Sequence, residues 1–264
     1  MDHTQIDLAV KRLQCALDLK RKAVGVRFLF SKEEYEASPA ASFQGKMPYC
    51  CLVRVCMNGY ARKANLDNFG CLSAARAFGI VEAADDWISG QSYAQKGMYR
   101  NLGTAKKVVN HTTCVRQKAY GIEVMPVEQF QQEPHVVILA TTPYNMMRLV
   151  QGYTYMFGTY SNYKIIGNQA LCSECTAYPF ESNEINLSVM CSGTRYMAGW
   201  GKEEMGMGIP YHLFPQMIEG LWKTMDIMEK DEDKKRILQR AKELGFEDLE
   251  LHLGQNYFTG QYLK

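Results

Sequence analysis

Cysteine is the residue type through which this chain could do chemistry. Nine are present: Cys15, Cys50, Cys51, Cys56, Cys71, Cys114, Cys172, Cys175 and Cys191. The number is odd, and 264 residues bury a core without crosslinks. Reduced thiols serving a metal, a cluster or thiol chemistry are therefore expected ahead of disulfides. The strongest local motif is Gln169-Ala170-Leu171-Cys172-Ser173-Glu174-Cys175. Its C-x-x-C spacing lets two thiols chelate one metal or act as a redox pair. A zinc ribbon needs a second such pair, and none is present: Cys51 and Cys56 stand five positions apart. A thioredoxin-like site wants the pair at a strand-to-helix turn. Tyr163–Gly167 is the candidate strand, but no aromatic residue or proline lies between the two cysteines. The plainer alternative is one functional cysteine beside one buried thiol.

The second motif is Val189-Met190-Cys191-Ser192-Gly193-Thr194-Arg195. A cysteine followed by Ser-Gly-Thr resembles an anion-binding turn, whose N–H groups converge on a charge, bond cluster sulfides or tune a thiol. Arg195 would grip a substrate carboxylate with two parallel hydrogen bonds, or else serve a structural ion pair. The third is Cys50-Cys51-Leu52-Val53-Arg54-Val55-Cys56 together with Cys71. Vicinal Cys50 and Cys51 do not easily ligate one ion together, and Cys50, just past Pro48-Tyr49, is favoured. Cys51 and Cys71 are 20 apart and Cys172 and Cys191 are 19 apart, each second cysteine followed closely by an arginine, Arg76 or Arg195. This reads as a weak internal repeat, a pseudo-two-fold that would bring the cysteines to one interface. Four thiolates drawn from two blocks suit an iron–sulfur cluster or a tetrahedral zinc. Cys15 lies on an apolar helix face and reads as core; Cys114 stays undecided. No H-E-x-x-H, G-x-S-x-G, P-loop or G-x-G-x-x-G pattern is present.

The elements that must position these residues follow from periodicity. Ile6, Leu8, Ala9, Leu13, Ala16 and Leu17 predict a helix over 5–20. Strands are expected over 23–30, 120–126 and 135–140, the last a continuous apolar run and so buried on both faces. Ser31-Lys32-Glu33-Glu34 resembles a capped helix start. Tyr49–Met57 and Cys71–Gly79 read as short helices, and Thr141-Thr142-Pro143 caps a helix over 144–157. Residues 89–113 are polar and glycine-punctuated, a lid or helical excursion. Residues 213–245 predict one or two amphipathic helices, with the charge run Glu229–Arg236 as a solvated face or turn. The fold class is α+β (mixed α/β), with two pseudo-symmetric halves presenting cysteines to a shared site. The expected organisation is a single domain over 1–264, with halves 1–118 and 119–225 and a C-terminal helical extension 226–264.

Composition narrows the function classes. Hydrophobic residues make up 47% and charged residues 22%, and 30 basic against 28 acidic residues leave a formal charge of +2. That balance points to neither a nucleic-acid nor an acidic-membrane partner. No apolar stretch approaches the ~18 residues of a spanning helix, and the first residues lack a signal-peptide pattern. A cytoplasmic location is expected. Fifteen methionines either favour a reducing, anaerobic setting or simply fill core gaps.

These residues also carry a family resemblance. Pro143, then Arg148-Leu149-Val150-Gln151-Gly152-Tyr153, Gly158, Gly167, Ala170, Cys172, Cys191-x-Gly193-x-Arg195 and Gly208-Ile209-Pro210 resemble the prokaryotic domain-of-unknown-function family 169. Val24-Gly25-Val26, Cys50, Ala61 and Cys71 before Gly79 extend the likeness, over roughly residues 5–225. The family brings no established activity. The resemblance implies that Cys50, Cys71, Cys172, Cys191 and Arg195 are the motif residues, with Cys51, Cys56 and Cys175 extras of this chain. The reading that follows is an iron–sulfur protein with one four-iron cluster on Cys50, Cys71, Cys172 and Cys191. Its role would be redox: an oxidoreductase or reductive lyase acting on a small organic anion, or the electron-transfer partner of one, with a homo-oligomer left open. Arg195 would hold the anion and Glu174 relay a proton, with Tyr153 and His111 as further catalytic candidates. The alternatives are a non-enzymatic thiolate protein for a soft metal such as zinc or for a cofactor, and a cysteine-nucleophile enzyme using Cys172 or Cys191.

Overall fold

The apolar runs at 24–29, 121–126 and 136–141 form the middle of one seven-stranded sheet in the computed structural model, which describes residues 3–259. The strands are β1 (Val24–Leu29), β2 (Ala41–Ser42), β3 (Arg62–Asn65), β4 (Gly121–Pro126), β5 (Val136–Thr141), β6 (Asn186–Ser188) and β7 (Met205–Pro210), in the order β2-β3-β4-β1-β5-β7-β6. A strand followed by a capped helix suggests parallel crossovers, yet β1 runs antiparallel to both neighbours. Val24 faces Pro126 on one side and Ile138 on the other. Every residue of β4 and β5 is buried, so the central strands read as continuous apolar runs although their pairing is antiparallel.

The helices are α1 (His3–Ala16), α2 (Lys32–Ala37), α3 (Tyr49–Met57), α4 (Leu72–Ala77), α5 (Asp85–Ile88), α6 (Gln91–Gln95), α7 (Leu102–His111), α8 (Pro143–Phe157), α9 (Tyr178–Ser182), α10 (Ser192–Ala198), α11 (Phe214–Lys223), α12 (Met225–Met228) and α13 (Asp231–Leu244). Caps fall where the sequence places them: Ser31 accepts the Glu34 N–H, and Thr142 accepts that of Asn145 ahead of Pro143. A π-helix, Ala170–Ala177, carries the C-x-x-C motif. Such wide turns are rare and concentrate at functional sites. The fold is thus mixed α/β. Among the described residues no helix is long and apolar enough to cross a membrane.

The chain divides into two compact units: a sheet unit, Arg21–Ala140 with Asn162–Tyr211, and a helical unit made of the segments up to Lys20, Thr141–Ser161 and from His212 onward. In the helical unit α8 and α11 meet at glycines: a Cβ on Gly220 would stand 2.1 Å from the Gly152 carbonyl oxygen. The charge run departs from its expected solvated face. Glu229 and Lys234 are buried, and Lys234 Nζ donates to Asp226 Oδ1 at 2.7 Å and to the carbonyls of His252 and Gln255 at 2.6 and 2.8 Å. A buried charge survives only with such partners. The expected extension runs to 264, and its last residues, 260–264, lie outside the described chain.

At the end of the β1–β5 pairing, the His135 side chain takes over from backbone. Its Nδ1 accepts the Phe28 N–H at 3.0 Å, so it must be unprotonated there. Burial foremost, and then Arg27, lower its pKa from 6.5 to about 4, against the smaller raising pull of Glu34 and Glu123. The unfolded chain therefore binds this proton more tightly. The contribution is complete above about pH 6.5 and is lost as pH falls toward 4, reaching roughly 3 kcal/mol. Urea unfolding of the chain and of His135→Gln at pH 7 and pH 5 should show a steeper loss in the unsubstituted protein. Equal losses would remove His135 from the account.

Candidate functional site

Four helix starts in the sheet unit face one cavity of about 210 Å3. Each brings one cysteine. Cys50 lies in the first turn of α3, Cys71 is the N-cap of α4, Cys172 lies in the first turn of the π-helix, and Cys191 is the N-cap of α10. All four line the cavity, together with Gln169 and Thr194 among others. Local chemistry sets these positions. The Gln169 carbonyl accepts the Ser173 and Glu174 N–H groups at 2.8 and 3.2 Å, the second spanning five residues as a π-turn requires. Thr176 Oγ1 donates to the Leu171 carbonyl at 2.6 Å and keeps the turn wide. β7 passes underneath, where Gly206 and Gly208 admit Cys175. The α3 and α10 ends are tied together: Trp200 Nε1 donates to the Cys50 carbonyl at 3.3 Å, and Arg54 to that of Ala198.

The remaining cysteines are spent on packing. Cys51 turns away and donates to the Met197 carbonyl at 3.3 Å, which leaves Cys50 as the vicinal thiol at the cavity. Buried Cys56 donates to the Val124 carbonyl at 3.1 Å, and Cys15 to that of Ile237 at 3.6 Å. Cys175 is fully buried, and Cys114 packs against the cluster around Trp87 and Tyr93. The C-x-x-C pair is therefore split between the cavity and the sheet.

The electrostatics grade the cavity thiols. Burial, then repulsion from Cys71, Cys191 and Cys50, pushes Cys172 well above the usual thiol range. Burial, then Cys51, Cys191 and Cys71, pushes Cys50 up to about 12. Both are neutral thiols at pH 7. Cys71 and Cys191 are half-exposed. The Cys191 sulfur is held in place: the Thr194 backbone donates to it at 3.4 Å, and the Thr194 hydroxyl stands 3.1 Å away.

The metal reading needs correction. Among the described residues no group of three or more Cys, His, Asp or Glu side chains is arranged to hold a metal ion. Cys50, Cys71, Cys172 and Cys191 share a cavity wall without three of them closing on one point. That overturns the four-iron cluster and the zinc alternative, and with them the cluster-based redox role and the oxidoreductase built on it.

The other expected site residues are placed elsewhere. Arg195 gives its guanidinium to backbone, donating to the carbonyls of Gly201, of Val189 at 3.1 Å and of Glu204 at 3.0 Å. Arg76 likewise stacks on Trp87 with its guanidinium carbon 4.4 Å from the ring. Glu174 is buried and accepts the Ile166 and Gly167 N–H groups at 2.6 and 3.0 Å and the Ser188 hydroxyl, fastening the 162–169 loop. Burial raises its pKa, partly offset by these bonds. His111 ends α7 on the surface with Nδ1 3.0 Å from the Lys107 carbonyl. Tyr153 belongs to the helical unit, where its ring centre is 5.0 Å from that of Phe157. None of these five lines the cavity. Gln169 and Thr194, which do, stand inside the two cysteine motifs, but nothing in their residue type marks them in sequence.

The uncharacterized protein MJ0308 of Methanocaldococcus jannaschii is 25% identical over 225 residues, covering 84% of this chain and 95% of that protein. No solved structure matches the chain. The family described as uncharacterised ArCR, domain-of-unknown-function family 169, matches residues 12–220, a span that holds all four cavity cysteines, and the chain belongs to that family.

Proposed function

We propose that the four-thiol cavity is a small-molecule site that works through metal-free thiol chemistry, with Cys191 as the thiol that bonds the ligand. One observation carries this: four cysteines, each from a different helix start, line one cavity. A thiolate is the reacting form of cysteine. Burial and mutual repulsion keep Cys50 and Cys172 neutral, so they serve as polar walls. Cys191 is reachable from solvent, and Thr194 holds its sulfur. Its thiolate would attack an electrophilic carbon: the S–C bond forms, the leaving group departs with its electron pair, and the thiol proton goes to solvent.

The pseudo-symmetry belongs to the same proposal. Residues 1–118 would supply Cys50 and Cys71, and residues 119–225 Cys172 and Cys191. Each half gives one cysteine from a first turn and one from an N-cap. A reducing, cytoplasmic setting would keep all four reduced.

The test is timed alkylation of the native protein with iodoacetamide, mapped by peptide mass. Cys191 should be modified first, at least an order of magnitude faster than Cys50 or Cys172, and Cys191→Ser should remove the fast phase. The reading fails if Cys191 reacts no faster than it does in the urea-unfolded chain.

A further inference from the structure

We infer that this cavity takes a small, largely apolar electrophile that carries no anionic group. The inference rests on the thiol-site reading and adds the class of molecule that reaches Cys191. Among the described residues no Asp, Glu, Lys, Arg or His side chain lines the cavity. Its polar members besides the thiols are neutral: Ser73, Asn168, Gln169 and Thr194. The remaining side chains are apolar, Leu171 and Met197 among them, and Tyr49 turns its hydroxyl aside to Thr176 at 2.9 Å. At about 210 Å3 the space is below the roughly 300–1,000 Å3 of sites for drug-sized ligands.

The charges of the cysteine motifs are engaged elsewhere. Each cavity cysteine has a charged residue within five positions after it: Arg54, Arg76, Glu174 and Arg195. Arg54 donates to the Ala198 carbonyl, and Arg76 lies over the Trp87 ring. Glu174 accepts the Ile166 and Gly167 N–H groups, and Arg195 donates to the Val189 and Glu204 carbonyls. No guanidinium therefore lines the cavity to meet a carboxylate or phosphate. A charge taken out of water without a partner is costly, whereas apolar surface gains by the same move. The thiols respond to the same surroundings: burial and mutual repulsion hold Cys50 and Cys172 in the neutral form. A small organic anion, the ligand expected from sequence, would stand beside the Cys191 thiolate with no cation to offset either charge.

The test compares two alkylating probes at Cys191, iodoacetamide and iodoacetate. With both, the S–C bond forms and iodide leaves with the bonding pair. They are nearly equal in size and differ in charge. Each rate is divided by the probe's rate with 2-mercaptoethanol, which removes the repulsion intrinsic to a carboxylate meeting a thiolate. The chain's formal charge of +2 does not repel iodoacetate, so a preference belongs to the site. The native protein should favour iodoacetamide at least about fivefold. Ser73→Lys puts a cation at a half-buried position of the wall and should shrink that preference several-fold, while Ser73→Gln, long but neutral, keeps it. A smaller native ratio, faster reaction with iodoacetate, or a preference unchanged in Ser73→Lys overturns the assignment and leaves the thiol reading standing. If neither probe labels Cys191 faster than in the urea-unfolded chain, the thiol reading itself falls. Should Ser73→Lys fail to fold, Asn168→Lys, also half-buried in the wall, takes its place.

Discussion

Glu229→Ala should cost the helical unit roughly 3–5 kcal/mol, because it strands a buried charge. Arg148 is wholly enclosed and Glu229 nearly so. Arg148 Nε donates to Glu229 Oε1 at 2.5 Å, and the second carboxylate oxygen accepts the Tyr144 hydroxyl at 2.8 Å. The rest of the guanidinium reaches Gln151 Oε1 at 2.5 Å and Thr224 Oγ1 at 3.3 Å. Without the carboxylate, those two neutral acceptors face an uncompensated cation. Glu229→Gln keeps the shape and one acceptor, so its loss should be smaller. The double variant Arg148→Met with Glu229→Leu should recover most of the stability, since a buried pair replaced by apolar groups of similar volume is often neutral or stabilising. Urea unfolding of all three decides. A cost under about 1 kcal/mol for Glu229→Ala, the size of a surface pair, would place the two groups in water.

Gly208→Ala should dismantle the cavity from beneath. A Cβ at 208 would lie 2.1 Å from the Cys175 carbonyl oxygen and 2.6 Å from its carbon. Both are backbone atoms of the π-helix, so no side chain can swing aside. Either β7 or the π-helix must move, and overpacking of this kind costs ~1–3 kcal/mol or more. The π-helix also carries Cys172 and follows directly from Gln169, so a shift there exposes a thiol that is otherwise shielded. Cys172 should become reactive to iodoacetamide in Gly208→Ala under native conditions. Gly206→Ala is the graded control. Its added carbon meets the Cys175 sulfur at 3.0 Å and Met190 Cε at 3.3 Å, longer contacts and to side-chain rather than backbone atoms, so its effect should be milder. Equal thermal midpoints for Gly208→Ala and the unsubstituted chain, with Cys172 still protected, would overturn this account of how the site is built.

Much of the fold is legible in residue order. The apolar spacing from Ile6 to Leu17, the run from Val136 to Ala140 and the Thr142-Pro143 cap act within a few residues of themselves, and each produced its element, although the helix expected over 5–20 ends at Ala16. β2, β3, β6 and β7 were not legible. Arg62-Lys63-Ala64-Asn65 has no alternation, and Met205-Gly206-Met207-Gly208 alternates with glycine, a poor strand former; pairing with β4 and packing on the π-helix make these two segments strands. Tyr163–Gly167, read as a strand, is a loop held by Glu174. Glu229 and Lys234 look solvated in a charge run because Arg148, which pairs with Glu229, and the His252 and Gln255 carbonyls, which join Asp226 around Lys234, lie outside it.

The sequence by itself narrowed the candidates: the family resemblance set Cys50, Cys71, Cys172 and Cys191 apart from the other five, where spacing alone left Cys51 and Cys175 open, and these four line one cavity. What they do there was decided only in three dimensions. Coordination needs ligand atoms to converge on a point within bond distance, and spacing along the chain carries no information about that convergence. Likewise Arg195, Glu174, Tyr153 and His111 have the right functional groups, but a side chain's chemistry belongs to whatever it touches, and these touch backbone carbonyls, loop amides and an aromatic ring. Gln169 shows the converse: an ordinary amide in sequence, it takes a left-handed backbone at the start of the π-helix and ties its side chain to Tyr93, contacts that only the fold brings together.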